Sequence, residues 1–275
     1  MNKTDIAVLL TCHNRREKTL ASLRCLYSQD CLNEVNFSVY LVDDGSSDGT
    51  GEAVKSEFPQ VTVIQGDGSL FWNRGMLKAW VTAAETTHDF FLWLNDDTDL
   101  ESSAISMLLE DYKNAGVEDC IISGAVRSSV TGEITYGGRV TRGWLLEPNG
   151  TLQSCQEFNG NAVLIPFHVY EKIGMLDPYF RHSFGDIEYG MRANKENINC
   201  FSSCRYVGFC ETHSEIPKWQ NRRYSVAERF KHLYSPLGMN PCELFHINKR
   251  YNGLFTACSV FILNHLRCFF TTQKQ

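Results

Sequence analysis

A chain of 275 residues, 43% hydrophobic and 21% charged, can bury a full core and has the composition of an ordinary globular protein, as one large domain or two small ones. A formal net charge of −6 argues against a nucleic-acid partner. The charge is unevenly spread, with 9 Lys+Arg against 3 Asp+Glu in residues 214–275 and 17 against 29 before them, an asymmetry that can mark contact with an anionic surface.

Taken in order, residues 6–11 are a short apolar run that reads as a buried strand, followed by the polar turn Cys12-His13-Asn14-Arg15-Arg16. From about Glu17, Leu20, Leu23, Cys25, Leu26 and Tyr27 recur as one face of a helix. Residues 37–42 are a second strand that ends in Asp43-Asp44-Gly45-Ser46-Ser47-Asp48, with a helix over 50–57 capped by Ser47, Asp48 or Thr50. A third strand over 61–64, a Gly-rich turn at 66–69 and a helix over 73–85 lead to a fourth strand over 90–94. Four strands alternating with three helices in under 100 residues predict right-handed crossovers and a parallel sheet. Neither GxGxxG nor GxxxxGK[ST] is present, which argues against a Rossmann dehydrogenase or a P-loop enzyme.

The fourth strand breaks into Asn95-Asp96-Asp97-Thr98-Asp99. Parallel sheets bind ligands outside the carboxyl ends of their strands, and clustered carboxylates repel unless a cation lies between them. A solvated turn is the plainer alternative. Further on, a helix over 103–115, a strand over 120–126, a hairpin within 132–140, an irregular loop over 141–158 bearing Trp144, and a strand over 160–166 running into a helix are expected. A helical segment follows Gly185-Asp186-Ile187-Glu188. The last stretch, 254–263, is apolar apart from Thr256 and Ser259 and lies among basic residues. Its pattern suits a membrane interface, a second subunit of a homodimer or the protein's own body, and leaves all three open.

The eleven cysteines lack any CxxC, and Cys200, Cys204 and Cys210 fit no common zinc spacing, so reduced thiols in a cytoplasmic protein are the expectation. The N-terminus carries no signal-peptide pattern, so the Asn149-Gly150-Thr151 sequon is read as incidental, and no apolar run reaches membrane-spanning length.

The turns after the first, second and fourth strands, Leu9-Leu10-Thr11-Cys12-His13-Asn14-Arg15, Val42-Asp43-Asp44-Gly45-Ser46-Ser47-Asp48-Gly49-Thr50 and Trp93-Leu94-Asn95-Asp96-Asp97-Thr98, resemble those of the family 2 glycosyltransferases. Ser69-Leu70-Phe71-Trp72-Asn73-Arg74-Gly75-Met76 and Gly185-Asp186-Ile187-Glu188-Tyr189 are similar to further segments of the same enzymes. The resemblance implies the GT-A fold, an α/β fold with a mostly parallel central sheet flanked by helices. Here it would form a catalytic domain over 1–213, with a nucleotide-binding half over 1–99 and an acceptor half over 100–213, before a basic helical extension over 214–275. It implies an inverting, nucleotide-sugar-dependent enzyme of bacterial cell-surface polysaccharide synthesis. Such an enzyme would be cytoplasmic or peripheral on the inner face of the membrane, and its acceptor would be a glycan or lipid-linked sugar.

Under that resemblance Asp43, with Asp44 beside it, is expected to accept the imide N–H of uracil or thymine. Thr11, His13, Asn14, Asn73 and Asp96 are expected to hold the rest of the nucleotide. Mg²⁺ or Mn²⁺ would be bound by Asp97 first, with Asp96, Asp99 in a shifted register, and His213 as a late ligand. Asn95 takes the leading place of the family's Asp-X-Asp. Asp186 matches the general base, with Glu188 as its substitute, although Gly185 stands where the family often has an acid. Trp144 and His182 are expected on the acceptor side. Two rival readings are a sugar-nucleotide nucleotidyltransferase, which would normally carry a Gly-rich basic loop after the first strand, and an inactive carbohydrate-binding protein.

Overall fold

The computed structural model describes residues 3–140, 143–212 and 216–270. Strand β1 (Thr4–Cys12) pairs in parallel with β2 (Val35–Asp43) on one side and β4 (Phe90–Leu94) on the other, and β3 (Thr62–Gln65) extends the sheet beyond β2. Residues 6–10 of β1 have no exposed surface, as the uninterrupted apolar run requires of a strand covered on both faces. Alternate side chains divide between two cores. Helices α1 (Arg16–Leu26), α2 (Thr50–Glu57) and α4 (Ala104–Asn114) pack Leu23, Val54 and Leu108 on the face of Val8, Leu10 and Leu92. On the other face α3 (Phe71–Ala83), α5 (Phe167–Ile173) and α6 (Gly185–Lys195) bring Met76, Trp80, Val169 and Tyr189 onto Leu9, Phe91 and Trp93.

The second half continues the same sheet. Strands β6 (Cys120–Arg127), β12 (Ala162–Pro166) and β13 (Asn199–Phe209) give the order β13-β6-β12-β4-β1-β2-β3, with β10 (Gln153–Ser154) beyond β13 at the edge. Only β12 runs against its neighbours in the body of the sheet, antiparallel to both β4 and β6, while β13 is parallel to β6. The carboxyl ends of β1, β2, β4, β6 and β13 therefore lie along one edge, joined there by the start of β12.

Two expectations need correction, and one long strand was missed. The hairpin expected within 132–140 does not close on itself. Its first strand, β7 (Ile134–Tyr136), pairs with β6, and its second, β8 (Gly138–Val140), leaves for a small sheet with β9 (Trp144–Leu145) and β11 (Glu157–Phe158). Gly137, at φ 153, sits at the corner, where a Cβ would meet the Ala125 backbone at 3.1 Å. Part of the expected irregular loop is thus this small sheet. The long strand β13 was not anticipated, because buried Ser202 and Ser203 interrupt its apolar pattern at a register shift. Ser203 accepts from Ala125 N–H and donates to the Arg205 carbonyl, which supplies the bonds the ladder loses there. A two-residue strand, β5 (Asp99–Leu100), also pairs with β13.

The extension comprises a 3₁₀ turn (Lys218–Gln220) and helices α7 (Val226–Leu233), α8 (Pro241–Tyr251) and α9 (Leu254–Phe269). Ser225 and Glu228 form a capping box on α7, and Asn240 caps α8 ahead of Pro241. Helix α8 packs Leu244 and Ile247 against Phe180, Phe184 and Ile187. It is also bolted on by charge. Glu188 of α6, fully buried, accepts from Arg192 at 3.0 Å, from Arg250 at 2.9 Å and from the Tyr251 hydroxyl at 2.6 Å.

Removing one partner of a buried ion pair leaves the others uncompensated. Glu188→Ala is expected to cost about 3–5 kcal/mol of unfolding free energy. Glu188→Gln, which keeps acceptors for Arg250 and Tyr251, is expected to lose less. Urea melts of both variants check this, and a Glu188→Gln protein as stable as the native one would contradict the charge-pair account.

Candidate active site

The crevice lies where the strand order reverses, between β1 and its neighbours, the position at which open α/β sheets take ligands. Two cavities meet there. One of about 320 Å³ is lined by Asn95, Asp96 and Asp97 after β4, Asn159–Asn161 before β12, and Ser183, Phe184, Asp186 and Ile187 at the start of α6. The other, about 260 Å³, is lined by Thr11, Cys12 and His13 after β1 with Asp44, Gly68, Phe71 and Leu237. Arg15, Trp72, Asp96 and His182 belong to both.

Arg15 is the electrostatic centre. Because β1 and β4 are adjacent and parallel, the turn after one meets the turn after the other. The Arg15 guanidinium donates to Asp96 at 3.0 Å and to Asp97 at 2.8 Å. Asp96 is almost wholly buried, and burial pushes its carboxyl up to about 7, a rise that Arg15 opposes and Asp97 reinforces. Its Oδ2 has no hydrogen-bond partner among the described residues. Asp97 also accepts weakly from the Cys210 thiol at 3.7 Å, and burial pushes that thiol up to about 12.

Asn95, the odd leading residue of the acidic turn, has a positioning task. Its side-chain oxygen accepts from the Trp72 indole N–H at 2.7 Å, and its backbone N–H donates to the Asn161 carbonyl. A neutral acceptor here holds Trp72 without adding a third charge beside Asp96. Trp72 in turn lies against Gly160, where a Cβ would meet the indole at 2.4 Å, and Gly160 N–H donates to Asp186 at 3.1 Å. Asp186 also accepts from Ile187 N–H at 2.9 Å, and burial raises its carboxyl above the ordinary range although part of the side chain stays open to the cavity. Phe184, just before it, holds φ 73, and Phe71 across the crevice holds φ 56. Strained non-glycine residues at both rims are the pattern of a functional site.

The structure brings together Thr11, His13, Asp44, Asp96, Asp97, His182 and Asp186 from among the expected residues. Asp44 accepts from Gly68, Leu70 and Phe71 N–H, which shapes the loop into α3, and its carbonyl is 2.6 Å from His13 Nδ1. The remainder lie elsewhere. Asp43 lines neither cavity; it accepts from Ser46 N–H and packs on Gly51 of α2, where a Cβ would meet it at 2.3 Å. Asn14 tethers Ser46 and Ser47. Asn73 is fully buried, donates to the Asp177 and Phe180 carbonyls, and presses on Gly185, where a Cβ would lie 1.7 Å from it. That contact explains why no acidic side chain precedes Asp186. Asp99 opens on a separate cavity with Glu17, Lys18 and Glu211, although Asp97 reaches both. Glu188 is the interior bolt to α8 and lines neither cavity, and Trp144 is exposed on the small sheet. His213 lies outside the described residues.

Arg15, Trp72 and the Gly160-Asn161 pair are site residues that were not singled out. A cation directly after a strand whose neighbour ends in carboxylates was a readable signal for Arg15. The Gly160-Asn161 pair depends on the antiparallel insertion of β12, which no local pattern announces, and Trp72 lay inside a motif whose residues did not show its bond to Asn95. Among the described residues no three His, Cys, Asp or Glu side chains converge as a metal site. Even so, the Asp96-Asp97 pair with its orphaned Oδ2 fits a hard divalent cation that takes its other oxygens from a diphosphate.

The Glycosyl transferase family 2 model matches residues 7–179. No curated protein matches the sequence. Among solved structures the chain is similar to the mannosyltransferase PcManGT of Pyrobaculum calidifontis, in complex with GDP-Man and Mn²⁺, at 13% identity and TM-score 0.59, covering 99% of this chain and 89% of that one. It is also similar to residues 1–349 of S. aureus TarS in complex with UDP-GlcNAc, at 12% identity and TM-score 0.58, covering 96% of this chain and 90% of that one. These likenesses establish the fold, which is GT-A.

The raised carboxyl of Asp96 has a linkage consequence. An acid whose folded pKa lies above its unfolded value stabilises the fold most below the unfolded pKa, and that contribution is lost as pH rises through the folded one. Its window is from about 4 to about 7. Unfolding free energy measured at pH 5 and pH 8 is expected to fall more steeply for the native protein than for Asp96→Asn, and parallel profiles would refute it.

Proposed function

The chain belongs to glycosyltransferase family 2, and on that premise we propose that it moves a sugar from a UDP- or dTDP-sugar to a hydroxyl of a glycan or lipid-linked acceptor in one inverting displacement. The observation that carries this reading is that Asp186 opens onto the same crevice as the Arg15-Asp96-Asp97 cluster. The acceptor oxygen forms the new bond to the anomeric carbon, the bond to the diphosphate breaks, and the acceptor's proton passes to Asp186. A carboxyl held above its usual range is the stronger base for that transfer, and Gly160 and Ile187 N–H fix its orientation.

The smaller cavity is the proposed nucleoside site. Its Thr11 hydroxyl is buried without a partner among the described residues, and His13 stands beside it tethered to Asp44. Asp44, which lines that cavity, replaces Asp43 as the proposed acidic group near the base. Mg²⁺ or Mn²⁺ held by Asp96 and Asp97 would neutralise charge on the departing diphosphate. Arg15, now paired to both carboxylates, is placed to turn toward the same phosphates. His182, common to both cavities, is the proposed contact between donor and acceptor. The pathway we favour is cell-surface polysaccharide synthesis at the cytoplasmic face of the membrane.

Incubation with a panel of nucleotide sugars, with Mn²⁺ or with EDTA, should release nucleoside diphosphate from at least one donor. No release and no thermal shift with UDP, dTDP, GDP or CDP would overturn the reading. Asp186→Asn is expected to bind donor normally and lose about 10²–10⁴-fold in transfer rate. Because only the ionised base accepts a proton, the native rate should fall with decreasing pH at a value above the ordinary carboxylate range. Arg15→Gln removes the competing guanidinium, so Mn²⁺ titrated without donor should bind more tightly than to the native protein; unchanged binding would mean Arg15 does not guard the pair.

A further inference from the structure

Helix α9 is inside out by the standard of a soluble protein. The side it buries carries Ala257, Asn264 and Cys268, with His265 hydrogen-bonded to the Tyr234 hydroxyl. The side it exposes carries Phe255, Ile262, Leu266 and Phe269, spaced by seven, four and three residues, which is one stripe of a helix. Phe255 is 87% exposed, and Phe270 just beyond the helix is 69% exposed. A contiguous apolar stripe of this kind on a surface marks an interaction site rather than a scattering of exposed side chains.

Charge selects the partner. Within residues 216–270 the acidic side chains are Glu228, held in the α7 capping box, and Glu243, buried against Arg181 at 3.0 Å. Around them lie exposed Lys218, Lys231, Lys249 and Arg267. The 3₁₀ turn that bears Lys218 and the helix that bears Lys231 both pack on α9, Trp219 and Leu233 joining Cys268 in one cluster. A two-fold dimer through the stripe would bring two such basic surfaces together. A head-to-tail dimer would need an apolar patch on the acidic body, whose exposed large hydrophobics (Leu32, Val81, Val117, Val130, Trp144 and Tyr179) come from separate places along the chain. An anionic lipid surface meets both needs, since it offers hydrocarbon to the stripe and negative headgroups to the exposed basic residues of the extension.

We propose that α9 lies in the plane of an anionic membrane with the stripe of Phe255, Ile262, Leu266 and Phe269 inserted at the headgroup boundary. No helix among the described residues is long and apolar enough to cross a bilayer, so the contact is interfacial. The extension that carries α9 reaches the crevice. Leu237, 70% exposed between α7 and α8, lines the smaller cavity beside His182, and Arg181 donates to the Tyr234 carbonyl and to Glu243. What docking serves rests on the glycosyl-transfer reading: it delivers the crevice to an acceptor carried on lipid. The docking itself does not rest on that reading.

The test is co-sedimentation of the full chain with phosphatidylglycerol vesicles and with phosphatidylcholine vesicles, at low and high salt. Partition onto the anionic vesicles is expected to be stronger by about tenfold or more and to fall with salt. Phe255→Ser with Ile262→Ser should reduce it by about tenfold, with circular dichroism, thermal midpoint and nucleotide binding unchanged. Phe255→Ser alone, at an almost fully exposed site, guards against misfolding of the double variant. A native chain that stays in the supernatant with both lipids, or binds both equally, overturns the proposal. So does a native dimer in sedimentation velocity that the variants dissociate, since the stripe would then be covered by a second copy. Loss of nucleotide binding with vesicle binding intact would count against the transferase reading and leave the docking standing.

Discussion

The site is organised by the burial of Asp96 and by the cation that offsets it. A carboxylate with almost no exposed surface is unfavourable unless a cation lies against it. The chain supplies one from the turn after β1, where Arg15 bridges Asp96 and Asp97. That bridge exists only because β1 and β4 are hydrogen-bonded neighbours running the same way, with Leu9 beside Trp93. A sheet in which those strands were separated or opposed would leave two carboxylates facing each other. Topology and electrostatics are thus one constraint, and the crevice is where it is satisfied.

From that pair a line of contacts runs outward to the candidate base. Asn95 holds the Trp72 indole, Trp72 excludes any side chain at Gly160, and the Gly160 backbone donates to Asp186. On the far side Asn73 excludes any side chain at Gly185 and ties α3 to the loop before α6. Both glycines are there for space rather than for unusual φ. Their small size lets backbone and aromatic rings approach closely enough to fix a carboxylate within a cavity wall, which is the preorganisation a general base needs.

Much of this was legible in the sequence, and the failures have identifiable causes. The strands β1 and β4 are buried on both faces, so their apolar runs are unbroken and their ends abrupt. Helix α2 was expected over the residues it occupies. The acidic turn after β4 was readable because its carboxylates directly follow an unbroken apolar strand, and the Asp186 segment through its resemblance to the family's motif. The direction of β12 was not readable, since five apolar residues look alike in either sense. Strand β13 was hidden by serines that satisfy a bulge. Asp43 and Asn73 show the limit of motif reading. Their residue types suit a ligand, yet the carboxylate of one shapes its own loop and the amide of the other holds two backbone carbonyls. Whether a polar side chain at a strand end faces ligand or loop depends on the path of the following turn, which is decided by contacts far along the chain.

Asp186 and Glu188 are two residues apart on α6, a spacing that puts them on different sides of a helix. Asp186 faces the crevice, and Glu188 faces α8 through Arg250 and Tyr251. The helix turn that presents the candidate base is therefore the same turn to which the basic extension is bolted. Phe184, packed with Ile247 of α8, adds an apolar contact to the same junction. A displacement of α8 would have to break a buried charge cluster or carry the start of α6 with it. The extension is thus attached directly to the wall of the crevice through one helical turn. That attachment gives a reason for a buried Glu at position 188: an apolar residue of similar volume would stabilise a core as well but would not hold Arg250 and Tyr251 in place.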